Sequence, residues 1–95
     1  FVADTVRANL LAADAPGAVG SVINVAGGRR ISLNELLAAL QRITGSTVAP
    51  IHGPARAGDV RHSLADLGRA RTLLGFEPQV SLADGLRRTV ESLSV

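Results

Sequence analysis

Four stretches of the chain carry apolar residues at helical spacing, and two short stretches are rich in β-branched apolar residues. Val2, Val6 and Leu10 fall at i, i+4 and i+8 with Leu11 beside them, so residues 1 to about 15 are expected to be helical until Pro16-Gly17 stops them. Ser32-Leu33-Asn34-Glu35 has the spacing of a capping box, and Leu33, Leu36, Leu37, Leu40 and Ile43 continue it as one apolar stripe, with Gly45 placed to end it. Asp66 is expected to cap a third helix, with Leu67, Ala70, Leu73 and Leu74 on one face and Gly75 at its end. Ser81 opens a fourth, striped by Leu82, Leu86, Val90 and Leu93. Between them, Ser21-Val22-Ile23-Asn24-Val25 reads as a strand buried on both faces, and Thr47-Val48-Ala49-Pro50-Ile51 as an edge strand that tolerates its proline. The expected class is therefore α/β, with about four helices and two short strands. Two strands alone are marginal in water, so they are expected to lean on something outside the chain.

Composition narrows the chemistry. The chain has 95 residues, enough for one domain at most, and such a chain buries only roughly 60% of the surface its unfolded form exposes. Hydrophobic residues make up 46% and aromatics 2%, so the core has to be Leu, Val, Ile and Ala with two Phe. There is no Cys, which excludes disulfides, thiolate nucleophiles and zinc–cysteine sites. There is no Tyr and no Lys, every one of the ten basic residues being Arg, which excludes a Schiff-base lysine and any Tyr/Lys acid–base pair. Net charge is only +2 and the arginines are spread along the chain, which argues against nucleic-acid binding. No apolar run approaches the ~20 residues that span a bilayer. Asp4, Arg7 and Asp14 interrupt the first fifteen residues, so no signal-peptide core is present there. A cytoplasmic protein is the expectation. The chain starts at Phe1 rather than Met, which, with the two strands, suggests a piece of a larger α/β protein.

Candidate chemistry concentrates in the loop Pro54-Ala55-Arg56-Ala57-Gly58-Asp59-Val60-Arg61-His62-Ser63. Arg56 offers a planar fork that matches phosphate oxygens, Gly58 permits a tight turn, and Asp59 can accept from paired sugar hydroxyls. That set suits a nucleotide diphosphate. The competing reading is a surface turn in which Arg56 and Asp59 pair with each other. His62 has no evident partner, because in a Ser63, His62, Asp66 triad neighbouring side chains on extended backbone point to opposite faces. His52 and His62 form no metal motif. Gly17-Ala18-Val19-Gly20 precedes a strand, and Gly27-Gly28 lacks the G-x-G-x-x-G frame, so both read as turns. Arg29-Arg30, just before the Ser32 helix, has the elements of an anion site, against the simpler reading of a solvated loop.

The order of these pieces resembles the closing region of extended short-chain dehydrogenases/reductases, the NAD-dependent epimerase/dehydratase family. Phe1-Val2-Ala3-Asp4-Thr5-Val6 with residues 8–13 is similar to that family's FVxVxDxVxA segment. Residues 23–28 followed by 31–36 are similar to its NVGxG…SLNEL, residues 56–66 to RxGDVRHSxAD, and residues 74–78 and 86–90 to LG[WFY]xP…GLxxT. The likeness spans nearly the whole chain, its R-x-G-D segment is the most specific part, and within the family it lies nearest to UDP-sugar 4-epimerases.

The resemblance implies that residues 1–95 form a C-terminal nucleotide-sugar-binding portion, with the Rossmann N-terminal half absent. Arg56 would then contact the diphosphate and Asp59 the uridine ribose. Catalysis in the family oxidises the sugar C4 hydroxyl with bound NAD, rotates the keto intermediate and returns hydride to the other face. That chemistry needs a Tyr-x-x-x-Lys that this chain lacks, so no catalytic residue is assigned to it and the chain alone is expected to be inactive. NAD would be bound mainly by the absent half, and the parent enzyme is expected to be a homodimer with a nucleotide-sugar substrate. A 4,6-dehydratase or decarboxylase of the same family, a non-catalytic nucleotide-sugar-binding or assembly module, and a small arginine-rich nucleic-acid binder are the alternatives. The stripes of the helices at 1–15 and 33–43 are expected to face, in part, a domain outside the chain, leaving exposed apolar patches.

Overall fold

The computed structural model describes residues 1–59 and 62–94. Along the chain they form helix α1 (Val2–Ala13), a 3₁₀ turn (Pro16–Ala18), helix α2 (Leu33–Thr44), a π-wound turn (Ala70–Leu74) and helix α3 (Leu82–Leu93). The four expected helices are present, the third of them π-wound, whereas the two expected strands are not: no strand forms among the described residues. Residues 21–25 and 47–51 form no ladder, because a strand exists only against a neighbour and no other described segment pairs with either of them. No described backbone N–H from Val22 to Val25 donates to another backbone group.

Local chemistry fixes the helix ends. Ser32 Oγ accepts the Glu35 N–H at 3.1 Å, and its hydroxyl donates to Glu35 Oε1 at 3.2 Å. This is half of a capping box, with the glutamate held by the serine hydroxyl rather than by its backbone N–H. Gly45, at φ 72°, closes α2 in the left-handed conformation that glycine adopts without strain. Ser81 Oγ caps α3 through the Asp84 N–H at 3.1 Å. The third expected helix is present over residues 68–74, α-helical at 68–69 and π-wound over Ala70–Leu74. Asp66 Oδ1 accepts the Gly68 N–H at 2.8 Å, and the left-handed Gly75 reverses the chain, with the Phe76 N–H reaching back to Ala70 O at 3.1 Å.

That reversal delivers Phe76 into the centre of the molecule, where it is the largest fully buried side chain among the described residues. Ala8 of α1, Ala70 and Leu74 surround it, and Leu11, Ala15, Ala18, Ile23 and Val25 pack against the cluster. The Arg7 guanidinium lies over the Phe76 ring, 4.9 Å from its centroid, and also donates to the Glu77 carbonyl. α2 packs separately on α3, with its leucine stripe half-buried. The N-terminus is pinned to the C-terminal segment by Asp4, whose two carboxylate oxygens accept the Gln79 and Val80 N–H groups at 3.1 Å each. Phe1 lies against Gly85 of α3, where an added Cβ would come within 3.0 Å of the Phe1 Cβ, and Arg88 stacks on the Phe1 ring at 4.7 Å.

The result is a slab of 49 × 36 × 18 Å with a radius of gyration of 16.4 Å. A compact chain of 95 residues would have a radius of about 12 Å. The stripe Val2, Val6 and Leu10 accounts for part of this, since it points away from the core at 65%, 51% and 66% exposure, while Asp4, Ala8 and Leu11 face inward. The expected outward-facing stripe is therefore found on α1, and α2 spends most of its own stripe on α3.

Candidate nucleotide site

Arg56 and Asp59 stand on an exposed loop of the slab. Gly58 has φ 85°, a conformation that only glycine adopts freely, and the Asp59 N–H approaches Arg56 O at 3.4 Å. The turn brings the two candidate side chains to one loop tip. They form no ion pair with each other or with any described residue. The self-paired surface turn is therefore absent, and neither group is paired with another described residue. Val60 and Arg61, which belong to the same sequence motif, lie outside the described residues.

The other candidates separate. His62 is exposed, and the Asp66 carboxylate is held by the Gly68 N–H, so no Ser63, His62, Asp66 relay is assembled. His52 Nε2 lies 3.0 Å from Asn34 Oδ1, which ties the 46–54 loop to the first turn of α2. Among the described residues no three metal-ligating side chains come together. Nor is any described helix long and apolar enough to cross a membrane.

Arg29 and Arg30 line a cleft of about 670 Å³ between the first turns of α1, α2 and α3. Both guanidiniums are exposed and neither has an ion-pair partner among the described residues, while Asp4 and Glu35 on the cleft wall balance their charge. The sequence offered no sign of how Asp4 would be used. Its position in the first turn of α1 reads as ordinary helix-dipole chemistry, but the carboxylate instead clamps a segment 75 residues away. Burial raises the Asp4 pKa, and the hydrogen bonds from Gln79 and Val80 together with Arg7 more than offset this, holding it below the ordinary 3.8.

The glycines do not fit a dinucleotide. At Gly28, φ 74°, an added Cβ would lie 3.1 Å from Leu67 Cδ1, so the missing side chain makes room for packing rather than for a phosphate.

The described residues thus form a helical fold with an exposed R-x-G-D turn at its edge. Comparison with known proteins gives that fold a lineage. The chain is 42% identical over 91 residues to the UDP-glucose 4-epimerase of Mycolicibacterium smegmatis, a match that covers 96% of this chain and 29% of the relative. It superposes with a TM-score of 0.86 and 46% identity on the UDP-glucose 4-epimerase of Thermotoga maritima solved with UDP-glucose, over 95% of this chain and 28% of that one. A UDP-glucuronic acid 4-epimerase from Bacillus cereus, solved with NAD and a fluorinated UDP-glucuronic acid, matches with a TM-score of 0.84 and 28% identity, over 98% of this chain and 31% of that one. No family model matches the chain. These relatives are nucleotide-sugar epimerases, and the chain belongs to the NAD-dependent epimerase/dehydratase family of extended short-chain dehydrogenases/reductases. It spans less than a third of the length of the relatives just described.

Proposed function

We propose that residues 1–95 are the C-terminal nucleotide-sugar-binding portion of an NAD-dependent epimerase that acts on a UDP-hexose. Arg56 binds the diphosphate through its guanidinium fork, and Asp59 accepts hydrogen bonds from the ribose hydroxyls. The observation that carries this reading is the turn itself. Gly58 at φ 85° holds Arg56 and Asp59 on one exposed tip with neither neutralised by the other, in a chain whose relatives include epimerases solved with UDP-sugars.

The division of labour follows from the residues. Oxidation at C4 and return of the hydride need NAD and an acid–base pair, and with no Tyr or Lys this chain supplies neither acid nor base of that kind. Its own contribution is binding energy remote from the reacting carbon, which positions the sugar. The chain alone is therefore inactive, and NAD belongs to the parent enzyme.

Calorimetric titration of the 95-residue chain with UDP, beside the Arg56→Ala/Asp59→Ala double variant, tests this. Saturable binding that the double variant loses is the expected result. Binding that survives the double variant, or a folded chain that takes up no UDP, overturns the assignment.

A further inference from the structure

The R-x-G-D turn hangs from a segment whose path is set by side chains. Residues 46–55 follow α2, and no described backbone–backbone hydrogen bond holds them. Apolar burial does not hold them either, since Val48 and Ile51 are 73% and 97% exposed. The Thr44 and Ser46 side-chain oxygens accept the Ser46 and Val48 N–H groups at 3.4 and 3.3 Å as the chain turns back past Gly45. Gln41 Nε2 then donates to Val48 O at 2.7 Å. Asn34 Oδ1 can only accept, so His52 Nε2 donates to it at 3.0 Å. Asn34 and Gln41 are seven residues apart, which puts them on one face of α2 and about 10.5 Å apart along its axis. Val48 and His52 are four residues apart, at most about 14 Å of extended chain. The segment is therefore laid back along α2, nearly taut between two ties, and His52 is the second of them, just ahead of Arg56.

We propose that the Asn34–His52 hydrogen bond is a latch that sets where the Arg56–Asp59 turn stands, which makes His52 a positioning residue for the nucleotide. The inference rests on the reading of that turn given above. Four residues separate His52 from Arg56, so with the latch closed Arg56 stays within about 14 Å of His52 on the first turn of α2. Pro54 stiffens this arm by fixing its own φ and by restricting Gly53. With the latch open the nearest tie is Val48, eight residues back, and the reach doubles to about 28 Å. A turn that is in place only part of the time binds its ligand more weakly by that fraction. Both latch partners are exposed, so the bond adds little to the stability of the fold, and its effect falls on the turn.

The test is a double-mutant cycle on UDP affinity, measured by calorimetry on the 95-residue chain with His52→Ala, Asn34→Ala and both together. Each single substitution is expected to weaken UDP binding about 3- to 10-fold at an unchanged urea midpoint. The double variant is expected to bind no more weakly than either single one, since both remove the same bond. His52→Gln, which keeps an N–H donor, should recover most of the affinity. Gln41→Ala, which frees Val48 and leaves the latch closed, should leave UDP affinity unchanged. Single substitutions without effect, losses that multiply in the double variant, or an equal loss from Gln41→Ala each overturn the inference. So does a loss that tracks a lowered urea midpoint. The heteronuclear NOE of the Arg56 to Asp59 amides, taken without UDP, gives a readout independent of the nucleotide. It should fall in both single variants and recover in His52→Gln. If the natural chain takes up no UDP, the reading of the turn fails, and that NOE still decides the latch, an unchanged value overturning it.

Discussion

Replacing Asp4 with alanine removes the one side chain that fastens the first turn of α1 to the segment leading into α3. Two carboxylate oxygens each accept a backbone N–H at 3.1 Å, and Arg7 stands 3.5 Å from Oδ1. Hydrogen bonds to a charged group contribute about 1.5–3 kcal/mol each. Gln79 is exposed, so water replaces much of its bond in the variant, whereas Val80 is half-buried and recovers less. Counting one bond in full and the other at about half gives a loss of about 2–4 kcal/mol for Asp4→Ala. A chain of this length has about 5–14 kcal/mol in all, and a slab with so small a core belongs at the low end. The assay is urea unfolding followed by far-UV circular dichroism, since the chain has no Trp or Tyr to report by fluorescence. The pH dependence gives a second readout. The folded-state pKa of Asp4 lies below the ordinary 3.8, so its contribution is complete above that value and is lost as pH falls through the lower, folded-state value. The gap between the natural chain and the variant should be constant from neutral pH to about 5 and should close in stronger acid. A gap under about 1 kcal/mol at neutral pH would refute the clamp, and a gap that persists to about pH 2 would refute the role of its charge.

Other outcomes follow from the same packing. Phe76→Ala should cost about 3–5 kcal/mol and remove most of the chain's cooperative unfolding, because no other large side chain among the described residues is fully buried. Ser32→Ala and Ser81→Ala should each cost about 1 kcal/mol, read as a lower urea midpoint at unchanged m-value. In the Arg56→Ala/Asp59→Ala variant, thermal and urea unfolding should be unchanged, since both side chains are exposed and neither pairs with another described residue, so any loss of UDP binding there reports the site and not the fold.

Much of the architecture was legible where the signal is local. The serine caps at Ser32 and Ser81 and the left-handed glycines at Gly45 and Gly75 are decided within four or five residues, and they stand where the sequence reading set them. The strand readings failed for a physical reason. Val22, Ile23 and Val25 have strand chemistry, but a strand is a pairing, and no other described segment pairs with them. The face of α1 was hard to read because the helix is apolar on two sides. Its regular stripe of Val2, Val6 and Leu10 points outward, and the inward face is opened by Asp4, whose burial makes sense only once Gln79 and Val80 are seen beside it. The R-x-G-D loop was legible as a motif, while the freedom of Arg56 from Asp59 was not, since spacing alone also allows them to pair.

The central claim is that the Arg56–Asp59 turn receives the nucleotide. An isotope-labelled sample of the 95-residue chain titrated with UDP-glucose and followed by amide chemical shifts tests it most directly. The account predicts saturable shifts centred on Ala55 to Asp59, absent in the Arg56→Ala/Asp59→Ala variant. Shifts centred instead on Arg29 and Arg30 in the cleft between the helix N-termini, or none in a folded chain, would contradict it.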